Sequence, residues 1–250
     1  AHYELASILL DAGADPNGGG DGWTALHVIS NVRHPGTGSN DPAPAGSGSM
    51  SSLDLVRKLV AKGANVNLRT TRSRNIGLTS LNTNGATPFL LAARTGDVEL
   101  MRLLVSLGAD PRIPTANNTT PLMVAAGVGT RSPGEDAGTE DEALEAVKLT
   151  LELGNDVNAV DNNGETAMHG AAYKHLPSVA DFLAKQGAKV EVWNRKNKND
   201  WTPLRIAEGV HRGMNLRRSP ETAAVIRKIM TESGVSTELE PEKVISGATK

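Results

Sequence analysis

The chain has 250 residues, 26 Lys+Arg against 28 Asp+Glu, and no cysteine. A net charge of −2 excludes a global electrostatic pull toward nucleic acid or membranes, and the missing thiols exclude disulfides and thiolate chemistry. No apolar run approaches the length of a bilayer span, and with three Trp, two Tyr and two Phe the core falls to Leu, Val and Ala.

In chain order, the first predicted element is a helix over Tyr3–Leu10, stopped by Gly13-Ala-Asp-Pro-Asn17. Thr24 then opens a short helix from Ala25 to about Ser30. Its companion, Leu53–Lys62, is delayed by residues 31–50, nearly all Gly, Pro, Ser, Asn and Asp, which read as a surface loop flexible at least in its second half. A second insertion, Leu68 to about Thr83, carries Arg69, Arg72 and Arg74 with no acidic residue and is expected to lengthen one β-hairpin finger.

Residues 84–113 are the plainest unit. Asn84-Gly85 tolerates positive φ in a tight turn, and Thr87-Pro88 combines a side-chain cap with a proline whose missing N–H costs nothing at a helix start. The helix runs through Phe89–Ala93 and stops at Gly96. Asp97 caps a second helix whose apolar residues cover more than one face, and Gly108 ends it. Two helices this short cannot enclose a core, so they must lie between copies of themselves.

The copies are present. Thr24-Ala-Leu-His27, Thr87-Pro-Phe-Leu90, Thr120-Pro-Leu-Met123, Thr166-Ala-Met-His169 and Thr202-Pro-Leu-Arg205 align, and two residues before each Thr stand Gly22, Gly85, Asn118, Gly164 and Asp200, types that accept a left-handed backbone. A second motif recurs at Gly13, Gly63, Gly108, Gly154 and Gly187, and Thr87 to Thr120 is 33 residues. This pattern resembles the ankyrin repeat, with its helix pair, 33-residue period and T-P-L-H-x-A signature. The resemblance covers the chain from Ala1 to about Gly234. It implies an all-α solenoid of stacked helix-turn-helix pairs with β-hairpin or turn fingers and three inter-helix loop insertions.

On that register the array spans 1–234: a half repeat at 1–17, then units at 20–67, 82–113, 115–158, 161–191 and 197–234, with a tail at 235–250. Thr to stop Gly takes 21 residues in the Thr87 and Thr166 units but 39, 34 and 32 in the Thr24, Thr120 and Thr202 units. The excess lies at 31–50, 127–140 and 209–219, so alternate units carry an insertion at the joint between their helices. Those loops are expected to leave from one edge, opposite the fingers. The half repeat would leave Leu5, Ile8 and Leu9 facing water unless an upstream repeat covers them. Starting in mid-repeat without Met, the chain reads as a fragment or processed product, with any targeting segment outside it. The tail reads as mostly disordered, with Val244-Ile245 able to dock on the last helix pair.

Charge is uneven along the chain. Residues 135–165 hold ten acidic residues and one basic, whereas residues 193–228 hold nine basic and three acidic. The bland reading is two solvated surfaces; the sharper one is a basic end that grips an acidic partner.

No nucleophile elbow, dinucleotide fingerprint, phosphate loop or HExxH zinc motif is present. Residues 156–164 hint at a calcium loop, but Ala159 and Gly170 stand where carboxylates are needed. His27 and His169 are expected to tie turns to neighbouring repeats and not to bind metal. No metal and no cofactor are expected.

Ankyrin arrays bind macromolecules through turn tips and the exposed first-helix face. The resemblance therefore implies Trp23, Arg94, Glu165, Tyr173, Lys174, Lys198 and Trp201 as partner-binding positions, since Trp, Tyr and Arg tend to carry interface energy. Either Trp can instead pack on the adjacent turn. The expected function is a monomeric protein-binding module without catalysis, with a protein partner, no membrane, and nucleic acid disfavoured. The alternatives are a structural or regulatory segment of a larger protein, and a hydrolase-like site built from the insertions around His34, Asp41, Glu135, Asp136 and His211.

Overall fold

The computed structural model describes residues 2–36, 48–77, 79–212 and 215–239, without the side chains of residues 211, 212 and 215. The helices come in pairs. The chain opens with α1 (Tyr3–Asp11), followed by α2 (Ala25–Val32) with α3 (Ser52–Ala61), α4 (Pro88–Arg94) with α5 (Val98–Ser106), α6 (Pro121–Ala125) with α7 (Glu140–Glu152), and α8 (Ala167–Lys174) with α9 (Pro177–Lys185). A one-turn helix α10 (Val190–Trp193) precedes the last pair, α11 (Pro203–Glu208) and α12 (Pro220–Glu232). First helices form one layer, α2 on α4, α4 on α6, α6 on α8 and α8 on α11. Second helices form the other, with α1 on α3 and α5, α7, α9 and α12 in succession. This is the all-α stack that the repeats imply.

Each signal that defines a unit acts through the backbone. The five residues before the Thr motifs all adopt positive φ, Gly22 at 84°, Gly85 at 78°, Asn118 at 59°, Gly164 at 76° and Asp200 at 65°. The Thr then caps its helix: Thr87, Thr120 and Thr202 Oγ1 accept from the amides three residues on, at 3.2, 3.3 and 3.3 Å. In the His-bearing units the Thr24 amide donates to His27 Nδ1 at 3.0 Å, and the Thr166 amide to His169 Nδ1 at 3.3 Å. Met123 keeps the same contact with its sulfur, 3.5 Å from the Thr120 amide nitrogen. His27 Nε2 also reaches the Leu68 carbonyl at 2.8 Å, tying its helix to the following finger.

Neighbouring units are stitched at both ends of the fingers. At the tips, backbone amides of Thr71, Ala116, Asn162 and Lys198 donate to carbonyls of Gly22, Asn84, Asn117 and Asn163 at 2.8–3.1 Å. At the stop glycines, the Asn17 side chain donates to the Gly63 carbonyl at 2.9 Å and accepts from the Asn65 amide at 2.7 Å. Asn67 repeats this with Gly108 and Asp110, and Asn158 with Gly187 and Lys189. An Asn amide suits this clip because it donates and accepts at once.

Between the helix layers the packing is tight. Leu90, Leu100, Leu104, Leu122, Ala126, Ala171 and Val179 are fully buried. Within the first-helix layer α8 comes close to the end of α6 at Gly170, where a Cβ would meet the Val128 amide nitrogen at 2.7 Å. Leu5, Ile8 and Leu9 of α1 are each more than half exposed.

The insertions depart from the expected picture in three ways. Residues 68–83 lengthen the finger, closed at its base where the Thr70 amide donates to the Ala86 carbonyl at 2.9 Å and the Gly85 amide to the Thr70 carbonyl at 2.8 Å, but the described residues of the extension form no paired strands. They cross the tips and meet the 127–140 insertion, where Thr79 forms an isolated antiparallel bridge with Thr130 and the Ser80 amide donates to the Gly129 carbonyl at 2.7 Å. The 127–140 insertion therefore does not leave opposite the fingers. Gly127 and Gly129, at φ 109° and 95°, turn it back toward them. The 209–219 insertion is not an irregular loop either but contains an antiparallel hairpin, β1 (Val210–Arg212) with β2 (Asn215–Arg217). Most of the 31–50 loop and the tail beyond Leu239, including Val244-Ile245, lies outside the described residues.

Leu104→Ala empties a fully buried site in the central layer and is expected to cost about 2–5 kcal/mol in urea titration. Arg102→Ala, on the exposed side of the same helix, is expected to stay within about 0.5 kcal/mol.

Candidate functional site

The bridge between the two insertions bounds a groove of about 720 Å³ over the C-terminal half of the stack. Ser80 and Leu81 form one wall, Gly129, Arg131 and Ser132 another, and the tips Asn117, Asn163 and Asn199 line its length with Lys198 and Trp201. Arg217 closes it from β2.

The acidic residues of the groove are turned into the protein. Asp161 accepts from the Asn163 and Glu165 amides at 2.8 and 2.9 Å through one oxygen and from Thr119 Oγ1 at 2.8 Å through the other. Beneath it, the Tyr173 hydroxyl donates to Glu165 Oε1 at 3.1 Å, and Asn197 Nδ2 donates to the same oxygen at 3.0 Å and to the Tyr173 hydroxyl at 2.8 Å. This triangle joins the Thr166 unit to the next finger.

Most of the sequence-derived binding positions are consumed by the fold. Trp23 is 3% exposed: its indole N–H donates to the Arg72 carbonyl at 3.0 Å and the Arg74 guanidinium sits 5.4 Å from its ring. Arg94 is 6% exposed and pairs with Asp136 at 3.1 Å. Glu165 and Tyr173 belong to the buried triangle, although both reach the groove wall. Lys174 is 5% exposed and donates to the Ala137 carbonyl. The physical reasons are two: the inserted segments cover Trp23, Arg94 and Lys174, whereas Glu165 and Tyr173 are taken up by Asn197 of the next finger. Lys198 is exposed, with Nζ 3.0 Å from Asn163 Oδ1, and Trp201 is half-buried at the groove wall. The sequence reading missed Arg131 and Arg217, and only their place inside insertions marked them out.

A second cavity of about 610 Å³ lies at the joint edge, lined by His34, Asp136, Glu142, Lys174 and His175. Its charged groups anchor the insertion. Asp136 accepts from Arg94, from Thr130 Oγ1 at 2.9 Å and from the Ala137 amide at 3.0 Å. His34 donates to the Thr95 carbonyl at 2.8 Å and stands 3.3 Å from Glu142. Burial pushes the Lys174 amine down to about 8 while Asp136 pulls the other way. Of the hydrolase-like set, Asp136 is thus a structural anchor, Glu135 is exposed, and Asp41 and the His211 side chain lie outside the described residues.

Comparison with known proteins agrees with the repeat stack. A family model described as ankyrin repeats in three copies matches residues 47–131 and 137–212, more than half of the chain, and a single-repeat model matches 21–71. The chain belongs to the ankyrin-repeat family. It is 28% identical over 203 residues to an E3 ubiquitin-protein ligase KEG of Arabidopsis thaliana, covering 74% of this chain and 11% of the ligase. It is 26% identical over 206 residues to a B-cell lymphoma 3 protein homolog of Mus musculus, covering 82% of this chain and 37% of that protein. A neurogenic locus notch homolog protein 1 of Xenopus tropicalis is 27% identical over 177 residues, 62% of this chain and 6% of the relative. The chain thus spans only about a tenth to two fifths of these relatives' length or less. Ankyrin repeats generally mediate protein–protein interaction. No helix among the described residues of this ankyrin array is long and apolar enough to cross a membrane.

Two predictions follow from the buried groups. Burial pushes the His169 imidazole down to about 4, so between that value and the ordinary 6.5 the unfolded chain binds a proton that the folded chain does not. Stability is therefore complete above about pH 6.5 and falls by on the order of 3 kcal/mol as pH drops to 4, a loss that urea titrations will show shrunken in His169→Met. Removing the guanidinium in Arg94→Met takes the ion-pair partner from the Asp136 carboxylate, which is 7% exposed and keeps its bonds from Thr130 and the Ala137 amide, and is expected to cost about 3 kcal/mol in the same assay.

Proposed function

We propose that this ankyrin array is a non-catalytic binding module whose partner sits in the groove between the bridged insertions and the C-terminal hairpin. The observation that carries the reading is the state of the groove lining. Trp201 and Lys198 offer accessible surface there, while the tips beneath them are pinned by backbone hydrogen bonds across units. A rigid wall loses little entropy on binding, so its few accessible large side chains can convert contact into affinity. The charged groups at the joint edge are engaged in holding the insertion, which favours binding over chemistry there. The same reading makes the array a monomer with a protein partner, with residues 1–234 as its body.

The test is quantitative affinity capture on the immobilised array, comparing the unaltered chain with Lys198→Glu/Trp201→Ala and with Arg102→Ala on the other helix layer. Recovery of a discrete set of proteins is expected to fall at least tenfold in the groove variant and to stay unchanged in the outer one. Equal recovery on all three would overturn the assignment.

A further inference from the structure

Two arginines face the groove without a carboxylate. Arg131 lies on the wall contributed by the 127–140 insertion and is exposed; Arg217 projects from β2 and is half-buried. They come from positions 86 residues apart, yet Arg217 Nη2 stands 3.5 Å from Ser132 Oγ, next to Arg131. Among the described residues neither has an ion-pair partner, and Arg217 Nε is buried with no hydrogen-bond partner at all. Of the carboxylates near them, Asp161 accepts through both oxygens, from the Asn163 and Glu165 amides and from Thr119, and Glu165 is buried with Oε1 held by Tyr173 and Asn197. A groove that buries part of a guanidinium and turns its own acids away is incomplete in charge.

We propose that the groove holds an extended acidic peptide segment, with a partner carboxylate seated between Arg131 and Arg217. This deepens, and rests on, the protein-binding reading above. Guanidinium forks match carboxylates in two parallel hydrogen bonds, so this pair selects the side chain. The Asn117, Asn163 and Asn199 amides along the groove can each donate to and accept from the main chain of an extended segment. A peptide is favoured over single-stranded nucleic acid because, among the described residues, the aromatic lining of the groove is half-buried Trp201 and buried Tyr173, whereas strand binders stack successive bases.

The full 250-residue chain, ¹⁵N-labelled, is titrated with three probes: the peptide (Glu-Gly)₆, its neutral counterpart (Gln-Gly)₆, and a dodecathymidylate. Saturable shifts at the Arg131 and Arg217 Nε–H groups and at the Asn117, Asn163 and Asn199 amides are expected with (Glu-Gly)₆. Its affinity should weaken at least tenfold in Arg131→Glu/Arg217→Glu, and stay within twofold in Arg102→Glu, which makes the same change of charge per site on the outer layer. Circular dichroism of each variant establishes that the helices persist; should the double charge reversal not fold, Arg131→Gln and Arg217→Gln are read singly, each expected to weaken binding at least threefold. Equal binding of (Gln-Gly)₆ in the groove would overturn the acidic preference and leave the interaction reading standing. Tighter binding of the dodecathymidylate would overturn the peptide in favour of nucleic acid. Silence at the groove with all three probes would overturn this proposal, while the groove assignment stands or falls on the capture experiment with Lys198→Glu/Trp201→Ala.

Discussion

Burial between copies is the constraint on which everything else depends. A helix of five to nine residues, such as α6 or α4, is far below the length that is stable alone in water. It persists because Leu90, Leu122 and their neighbours are covered on both sides by the next pair. Stacking then fixes the direction of every turn, and the tip amides and Asn clips lock adjacent turns in register. The rigidity of the groove follows from this stack, and its shape from what the insertions lay over it.

The insertions convert a generic scaffold into a particular one. Residues 127–140 run from the tips at Thr130 to Arg94 and Lys174 at the helix joint. Their anchoring draws on the side chains that would otherwise face a partner. In the proposed groove this leaves Arg131, Lys198, Trp201 and Arg217 as large side chains of the lining.

Local chemistry made the fold legible. Left-handed positions at Gly22, Gly85, Asn118, Gly164 and Asp200, the Thr caps and the stop glycines are demands that a residue answers with its own backbone or nearest neighbours, so sequence carries them directly. The site was legible only in part because its contacts are not local. Trp23 is covered by a segment 49 residues away and Arg94 by one 42 residues away, and nothing in either neighbourhood announces the cover. The β-hairpin at 210–217 and the single turn α10 escaped for a related reason: both are too short to show a period. The basic bias near the C-terminus was visible, but which of its arginines lacked a partner depended on where Asp161 and Glu165 pointed.

The central claim is that the five Thr-led turns stand in line along one side of a stack. Because the chain has no cysteine, single pairs can be introduced and spin-labelled without background, one at Asp21 and the other at Asn118, Asn162 or Asn199 in turn, all exposed tip positions. Pulsed electron double resonance is predicted to give a distance that grows at each step by roughly the 8–10 Å separation of packed helices. A distance from Asp21 to Asn199 no longer than that to Asn118 would contradict the stack, and with it the groove and everything assigned to it.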